Sequence, residues 1–225
     1  DLHEKNPQKS LSVEKFVSFV SFDPQGENLL FSTEANEAFI WHVTKPNPGS
    51  PEKIALPHPF DRIHFLSFSP SGSRMLFLDA TSSKHCVWDS RKNQLAFCLQ
   101  EDDSHLGADQ GMFSPDGSSI LTWSTNPWST SPPPPALWNA VTGQKQRTFE
   151  AHENRRCTSS FSQNGQHVVI QCTDEEASFV WSMDPKQPPL VFSHVDRTIR
   201  WMDGLPDGKS LAYVRGSHVY VFMPE

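Results

Sequence analysis

The segment Phe113-Ser114-Pro115-Asp116-Gly117 decides the fold class, because it encodes a tight turn between two short apolar runs. Proline presets the backbone for the second turn position, aspartate tolerates the next position, and glycine accepts a positive φ. Related turns elsewhere in the chain end at Gly26, Gly72, Gly165 and Gly208. Successive turn glycines are 43 to 48 residues apart. The chain is therefore a fivefold repeat of a β-hairpin signal.

A second landmark follows each turn, where a β-type run ends in a large aromatic residue. These residues are Trp41, Trp88, Trp138, Trp181 and Phe222. A fourth short run then appears, as in residues 94–99 and 144–149. Four short runs per repeat, with no convincing amphipathic helix, predict an all-β chain. We expect a β-propeller of four-stranded antiparallel blades, with five repeat units visible.

The repeat predicts one domain over residues 1–225. The unit boundaries lie near 14–56, 57–100, 101–150, 151–193 and 194–225. Two arrangements remain open for the ends of the series. Residues 8–13 are a candidate outer strand that would complete the last unit and close a ring of five. Alternatively, the units form an arc of a larger propeller, and this is the arrangement that we favour.

One junction between units carries a family resemblance. Residues 137–144, which read Leu-Trp-Asn-Ala-Val-Thr-Gly-Gln, resemble the end of a blade in WD-repeat proteins. Residues 147–152, Arg-Thr-Phe-Glu-Ala-His, resemble the passage into the next blade, and Trp88-Asp89 is a literal Trp-Asp pair. The resemblance covers nearly the whole chain, and it implies the propeller fold.

The resemblance also implies a buried polar network of histidine, serine or threonine, aspartate and tryptophan in each blade. The fourth unit comes nearest to supplying it, with His152, Thr173, Asp174 or Glu175, and Trp181. Ala35 and Ser82 stand near the positions of the first two aspartates. We therefore expect apolar packing to contribute more than this network. Trp41, Trp88, Trp138, Trp181, His152 and Asp174 are the predicted structural residues.

Charge and motifs limit the function classes. The formal net charge is −7, which argues against nucleic acid and anionic membranes as partners. No apolar run is long enough to cross a bilayer. The sequence contains no nucleophile elbow, P-loop, zinc-protease motif or dinucleotide-binding turn. We expect neither an enzyme, nor a bound metal, nor a cofactor.

The four cysteines face each other in pairs if the hairpins are in register. Cys86 would lie opposite Cys98, and Cys157 opposite Cys172, which is within disulfide reach. Two cross-strand disulfides and buried free thiols both remain open, and we favour free thiols because the cysteine content suits a reducing compartment. The absence of an N-glycosylation sequon agrees with a cytoplasmic or nuclear location.

The resemblance implies a non-catalytic scaffold or platform for protein–protein interaction. Binding is expected on the rim that carries the connections between units and those between the second and third strands of each unit. The expected rim residues are Trp128, Pro132, Pro133, Arg155, Arg156, Arg197, Asp102 and Asp103. The partners would be proteins or peptides, basic ones fitting the acidic surface. A variant of this hypothesis makes the chain the sensing or regulatory part of a larger signalling protein. The alternative is a propeller that binds small ligands or glycans through spare tryptophans such as Trp123.

Overall fold

The computed structural model of this chain consists of strands and turns in the part that it describes. It describes residues 10–45, 49–54, 63–100, 107–126, 129–150, 157–172, 177–193, 199–204, 211–215 and 218–222. The nineteen strands form five antiparallel sheets in chain order. Four of the sheets have four strands, as the repeat predicts, and the fifth has three. No helix in these ranges is long and apolar enough to span a membrane.

The strands of each sheet neighbour one another in sequence order. Sheet 1 contains β1 (Val17–Phe22), β2 (Leu29–Thr33), β3 (Ala38–Trp41) and β4 (Glu52–Lys53). Sheet 2 contains β5 (Ile63–Phe68), β6 (Arg74–Asp79), β7 (Lys84–Asp89) and β8 (Gln94–Cys98). Sheet 3 contains β9 (Gln110–Phe113), β10 (Ser119–Trp123), β11 (Ala136–Asn139) and β12 (Lys145–Thr148). Sheet 4 contains β13 (Cys157–Phe161), β14 (His167–Cys172), β15 (Ala177–Ser182) and β16 (Leu190–Ser193). Sheet 5 contains β17 (Ile199–Gly204), β18 (Leu211–Arg215) and β19 (His218–Phe222).

The turn between the first two strands of sheets 1 to 4 follows one hydrogen-bonding plan. Its first residue is Asp23, Ser69, Ser114 or Ser162, and the backbone oxygen of that residue accepts a bond from the turn glycine's N–H. The side-chain oxygen of the same residue accepts a backbone N–H from the far side of the turn. The four glycines have φ between 68° and 73°, which explains why glycine stands there.

Sheets 1 to 4 pack face to face, and alternate residues of one strand contact different neighbouring sheets. In β6, Met75 and Phe77 pack toward sheet 1, whereas Leu76 packs toward sheet 3. In β10, Ile120 packs toward sheet 2 and Leu121 toward sheet 4. We call the side of a sheet that faces the preceding sheet its leading face, and the opposite side its trailing face. Both faces of an inner sheet are thus apolar.

The turns of neighbouring sheets also touch, along an edge that we call the turn rim. A methyl group placed on Gly117 would lie 3.4 Å from Cδ of Pro70 in the preceding turn. One placed on Gly165 would lie 3.3 Å from Cδ of Pro115. Between sheets 1 and 2 the same position is bridged by Gln25, whose Nε2 donates to the backbone oxygen of Pro70 at 3.2 Å. The turn rim is therefore a continuous row of packed turns.

The leading face of sheet 1 is exposed at a position that is covered in the later sheets. Phe22 pairs with the residue seven positions later in the second strand, as Phe68, Phe113 and Phe161 do in their own sheets. Phe113 and Phe161 are buried and Phe68 is half-buried against the preceding sheet. Phe22, in contrast, is 57% exposed.

The last sheet shows the converse exposure. Val221 pairs with Ala212 in the same relative position as Val87 with Leu76 and Leu137 with Leu121. Val87 and Leu137 are buried toward the following sheet, whereas Val221 is 53% exposed. Among the described residues, the series of sheets therefore presents an apolar leading face at one end and apolar valines at the other.

Closure into a ring is not seen in the described part of the chain. Residues 10–13 form no strand, so they do not provide the expected fourth strand of sheet 5. The turn predicted at residues 204–208 falls mostly outside the described ranges. The confirmed statement is the coarser one, an all-β chain of repeated four-stranded antiparallel sheets.

The expectation of free thiols is wrong, because both cysteine pairs are disulfide-bonded. Cys86 lies opposite Cys98 across β7 and β8, and Cys157 lies opposite Cys172 across β13 and β14. The predicted pairing of positions was right. The preference for thiols rested on cysteine content, which carries no information about which side chains meet.

Candidate functional site

Most of the rim predicted to bind partners lies outside the described residues. This holds for Trp128, Arg155, Arg156, Arg197, Asp102 and Asp103, and for the structural residues His152 and Asp174. Pro132 and Pro133 are described, and both are buried in the connection that leads into β11. As placed, these two prolines do not offer an exposed surface.

The four repeat tryptophans occupy equivalent positions but have different environments. Trp41, Trp88 and Trp138 are buried. Trp181 is half-buried, with the guanidinium of Arg147 4.9 Å from its ring centroid. Arg147 also donates to the backbone oxygen of Ser182 at 2.8 Å. These contacts join β12 of sheet 3 to β15 of sheet 4.

One tryptophan–threonine hydrogen bond is seen in the described ranges, and it lies in the third unit. The fourth-unit residues Thr173 and Glu175 lie, like His152 and Asp174, outside these ranges. The indole Nε1 of Trp138 donates to Oγ1 of Thr122 at 2.9 Å. The residues that take the place of Thr122 in sheets 2 and 4 are Phe77 and Ile170, two positions beyond the partners of Trp88 and Trp181. The buried Nε1 atoms of Trp88 and Trp181 have no partner in this part of the chain. Apolar residues stand opposite these two indoles in place of Thr122.

A cavity opens between sheets 1 and 2 at the turn rim, and we call it the inter-sheet cleft. Its volume is about 330 Å³, within the usual range for ligand-binding pockets. The wall on sheet 1 contains Asp23, Glu27, Asn28, Ile40 and His42. This cleft is the candidate functional site.

A chain of side-chain hydrogen bonds runs along the sheet 1 wall. Asp23 is buried, and its carboxylate accepts the backbone N–H groups of Glu27 and Asn28 at 2.8 and 3.1 Å. It also accepts Nδ2 of Asn28 at 2.6 Å. Oδ1 of Asn28 lies 2.5 Å from Nδ1 of His42, and Nε2 of His42 lies 3.2 Å from Oε1 of Glu52. Four side chains, from the turn after β1, the loop after β3 and strand β4, are thus held in one line.

The sheet 2 wall is built from the turn after β5 and the turn after β7. Phe68 provides apolar surface. The hydroxyl of Ser90 donates to the backbone oxygen of Gly72 at 3.1 Å, which fixes the two turns to each other. Arg91 is exposed on this wall, and no ion pair of its guanidinium is seen within the described ranges.

The cleft has the chemistry of a binding site. It combines an apolar floor of Ile40 and Phe68 with fixed acceptors on one wall and a guanidinium on the other. Within the described ranges, no three His, Cys, Asp or Glu side chains are grouped to hold a metal ion.

Sequence reasoning missed this site, although two signals were present. Asp23 stands where the turns of the second to fourth units have serine, and His42 follows Trp41 where those units have Asp89, Asn139 and Ser182. These departures from the repeat mark the cleft. In comparisons with known proteins, no family model and no curated sequence matches this chain.

Proposed function

We propose that this protein is a non-catalytic platform that binds other proteins or peptides. The observation that carries the proposal is the inter-sheet cleft, a polar and apolar pocket between two sheets whose turns are fixed to each other. A rigid pocket on a repeated β-scaffold binds with little reorganisation. The propeller fold and the resemblance to WD-repeat proteins belong to the same proposal.

Two surfaces compete for this function. One is the rim predicted from the sequence, with Trp128 and Arg156, and the other is the inter-sheet cleft. We expect His42→Ala with Glu52→Gln to reduce partner capture, whereas Trp128→Ala with Arg156→Ala tests the other rim.

The test is affinity purification with the unchanged chain and both double variants, followed by direct binding of each purified candidate partner. A partner that binds directly and is lost in only one double variant identifies the binding rim. If each candidate binds all three chains equally, or binds none directly, the platform proposal is refuted.

Small-ligand or glycan binding is the second candidate, and the volume of the cleft favours it. The aromatic residues first expected to support it do not, because Trp123 is buried between sheets 3 and 4. A glycan array probed with the unchanged chain tests this candidate. Binding that survives the His42 and Glu52 substitutions would place any glycan site elsewhere.

The expected location is cytoplasmic or nuclear, and the two disulfides argue against it. Disulfides persist mainly in oxidising compartments. Localisation of a tagged full-length protein decides between these readings.

A further inference from the structure

When His42 is neutral, the donors and acceptors of the hydrogen-bond chain in the inter-sheet cleft can be assigned in only one way. The ionised carboxylate of Asp23 can only accept, so the group of Asn28 that faces it at 2.6 Å is the NH₂. The amide oxygen of Asn28 is then the atom that faces His42. Because this oxygen also accepts only, Nδ1 of His42 must carry the proton.

This assignment determines which ring nitrogen of His42 is free to accept a hydrogen bond in the cleft. A neutral imidazole protonated on Nδ1 has its acceptor lone pair on Nε2. Nε2 lies 3.2 Å from Oε1 of Glu52, and an ionised carboxylate is also an acceptor. A neutral His42 and an ionised Glu52 therefore present two neighbouring acceptors to a donor from outside, whereas a ring proton on Nε2 would join them directly.

The surroundings favour a donor that belongs to a long cationic side chain. Ile40, Phe68 and His42 line the cleft, and Glu52 is the cross-strand partner of Ile40. The two apolar side chains suit the aliphatic stem of such a ligand. Glu27 adds a carboxylate to the same wall, and its side chain makes no hydrogen bond or ion pair within the described ranges. A planar guanidinium presents several N–H donors at once and satisfies two acceptors better than a single ammonium does.

We propose that the inter-sheet cleft binds an arginine side chain of a peptide or protein partner, with Nε2 of His42 and the carboxylate of Glu52 as acceptors. Arg91 on the opposite wall is then available for backbone oxygens of the same peptide. This inference rests on the proposed function and specifies the ligand of that site.

The experiment is an NMR titration of the full chain with capped tripeptides Gly-Arg-Gly, Gly-Lys-Gly and Gly-Gln-Gly. We expect Gly-Arg-Gly to shift the signals of His42 and Ile40, Gly-Lys-Gly to bind more weakly, and Gly-Gln-Gly to cause no saturable change. Glu52→Gln should weaken the arginine peptide about tenfold, since a charge-assisted hydrogen bond is lost. The matched control is Glu34→Gln, which removes the same charge from the exposed turn after β2.

Equal shifts with Gly-Arg-Gly and Gly-Gln-Gly would overturn the proposal, and so would equal weakening by Glu52→Gln and Glu34→Gln. The comparison among peptides needs no variant, so it stands even if a variant fails to fold. If the tripeptides fail while partner capture still depends on His42 and Glu52, the arginine assignment is wrong and the platform proposal survives.

Discussion

Trp138 and Thr122 form a buried pair whose contribution to stability can be measured with a single substitution. The indole N–H of Trp138 is fully buried and has Thr122 as its partner. We expect Thr122→Val to remove this buried hydrogen bond and to destabilise the fold by about 1–3 kcal/mol. Chemical denaturation measures the change in the free energy of unfolding.

The control for this prediction is Thr158→Val. Thr158 is exposed on β13, so the same chemical change should cost less than about 0.5 kcal/mol. Similar losses for the two variants would mean that the Trp138 hydrogen bond adds no specific stability.

The burial of His167 predicts that the stability of the fold depends on pH. Its Nδ1 is buried without a partner in the described ranges, and burial lowers the pKa of the imidazole below its ordinary value of 6.5. The unfolded chain therefore takes up this proton at a higher pH than the folded chain does. Stability is lost as the pH falls from about 6.5 through the folded pKa.

His167→Gln should remove this part of the loss. We expect the stability difference between about pH 8 and about pH 5 to be smaller in the variant than in the unchanged chain. Thermal unfolding at both pH values measures it. Parallel pH profiles for the two proteins would contradict the assignment to His167.

At the scale of the elements, the packed turns predict different costs for two similar glycines. Gly26 and Gly165 have φ of 69° and 71°, so alanine costs both turns about 1 kcal/mol of backbone strain. A methyl group meets nothing within 4 Å at Gly26 but meets Pro115 at 3.3 Å at Gly165. We expect Gly165→Ala to cost up to about 1 kcal/mol more than Gly26→Ala, by urea denaturation. Equal losses of stability in the two variants would show that Pro115 moves aside without an energetic cost.

The two disulfides should differ in their access to reductant. Cys98 is half-buried at the outer strand β8, whereas Cys157 and Cys172 are buried between sheets 3 and 4. We expect a thiol reductant to open the bond between Cys86 and Cys98 first.

The two bonds close loops of 12 and 15 residues, respectively, so the loss of either bond should destabilise the fold by about 3 kcal/mol. Alkylation followed by peptide mapping gives the order, and free thiols in the untreated protein would contradict the bonding.

For the whole molecule, the exposed ends of the sheet series predict self-association. Phe22 on the leading face of sheet 1 and Val221 on sheet 5 occupy positions that sheet-to-sheet packing covers elsewhere. Exposed apolar faces of this kind associate in water. We expect concentration-dependent oligomers in sedimentation velocity, weakened about tenfold by Phe22→Ser with Val221→Ser.

Val141→Ser serves as the control for this prediction. Val141 is exposed in a turn and lies on neither end face. A monomer at every concentration, or equal weakening by Val141→Ser, would contradict the prediction.

The sequence predicted features that depend on local spacing and missed features that depend on contacts between units. Turn spacing was enough to place Cys157 opposite Cys172, because a hairpin turn sets the register of its two strands. The cleft combines Asp23 and His42 of the first unit with Arg91 of the second, and a single repeat contains no signal for that juxtaposition. The prediction of free thiols was wrong for a similar reason, since composition does not report the distances between side chains.

The packed turn rim has a consequence for the evolution and engineering of chain length. A turn that abuts its neighbour has no room for added residues. In each of the four described turns, the phenylalanine before the turn pairs with the residue seven positions later. The longest connection between two paired strands is instead the one between β10 and β11, which spans residues 124–135. Insertions of foreign segments should therefore be tolerated in connections of that kind and should fail at the turn rim.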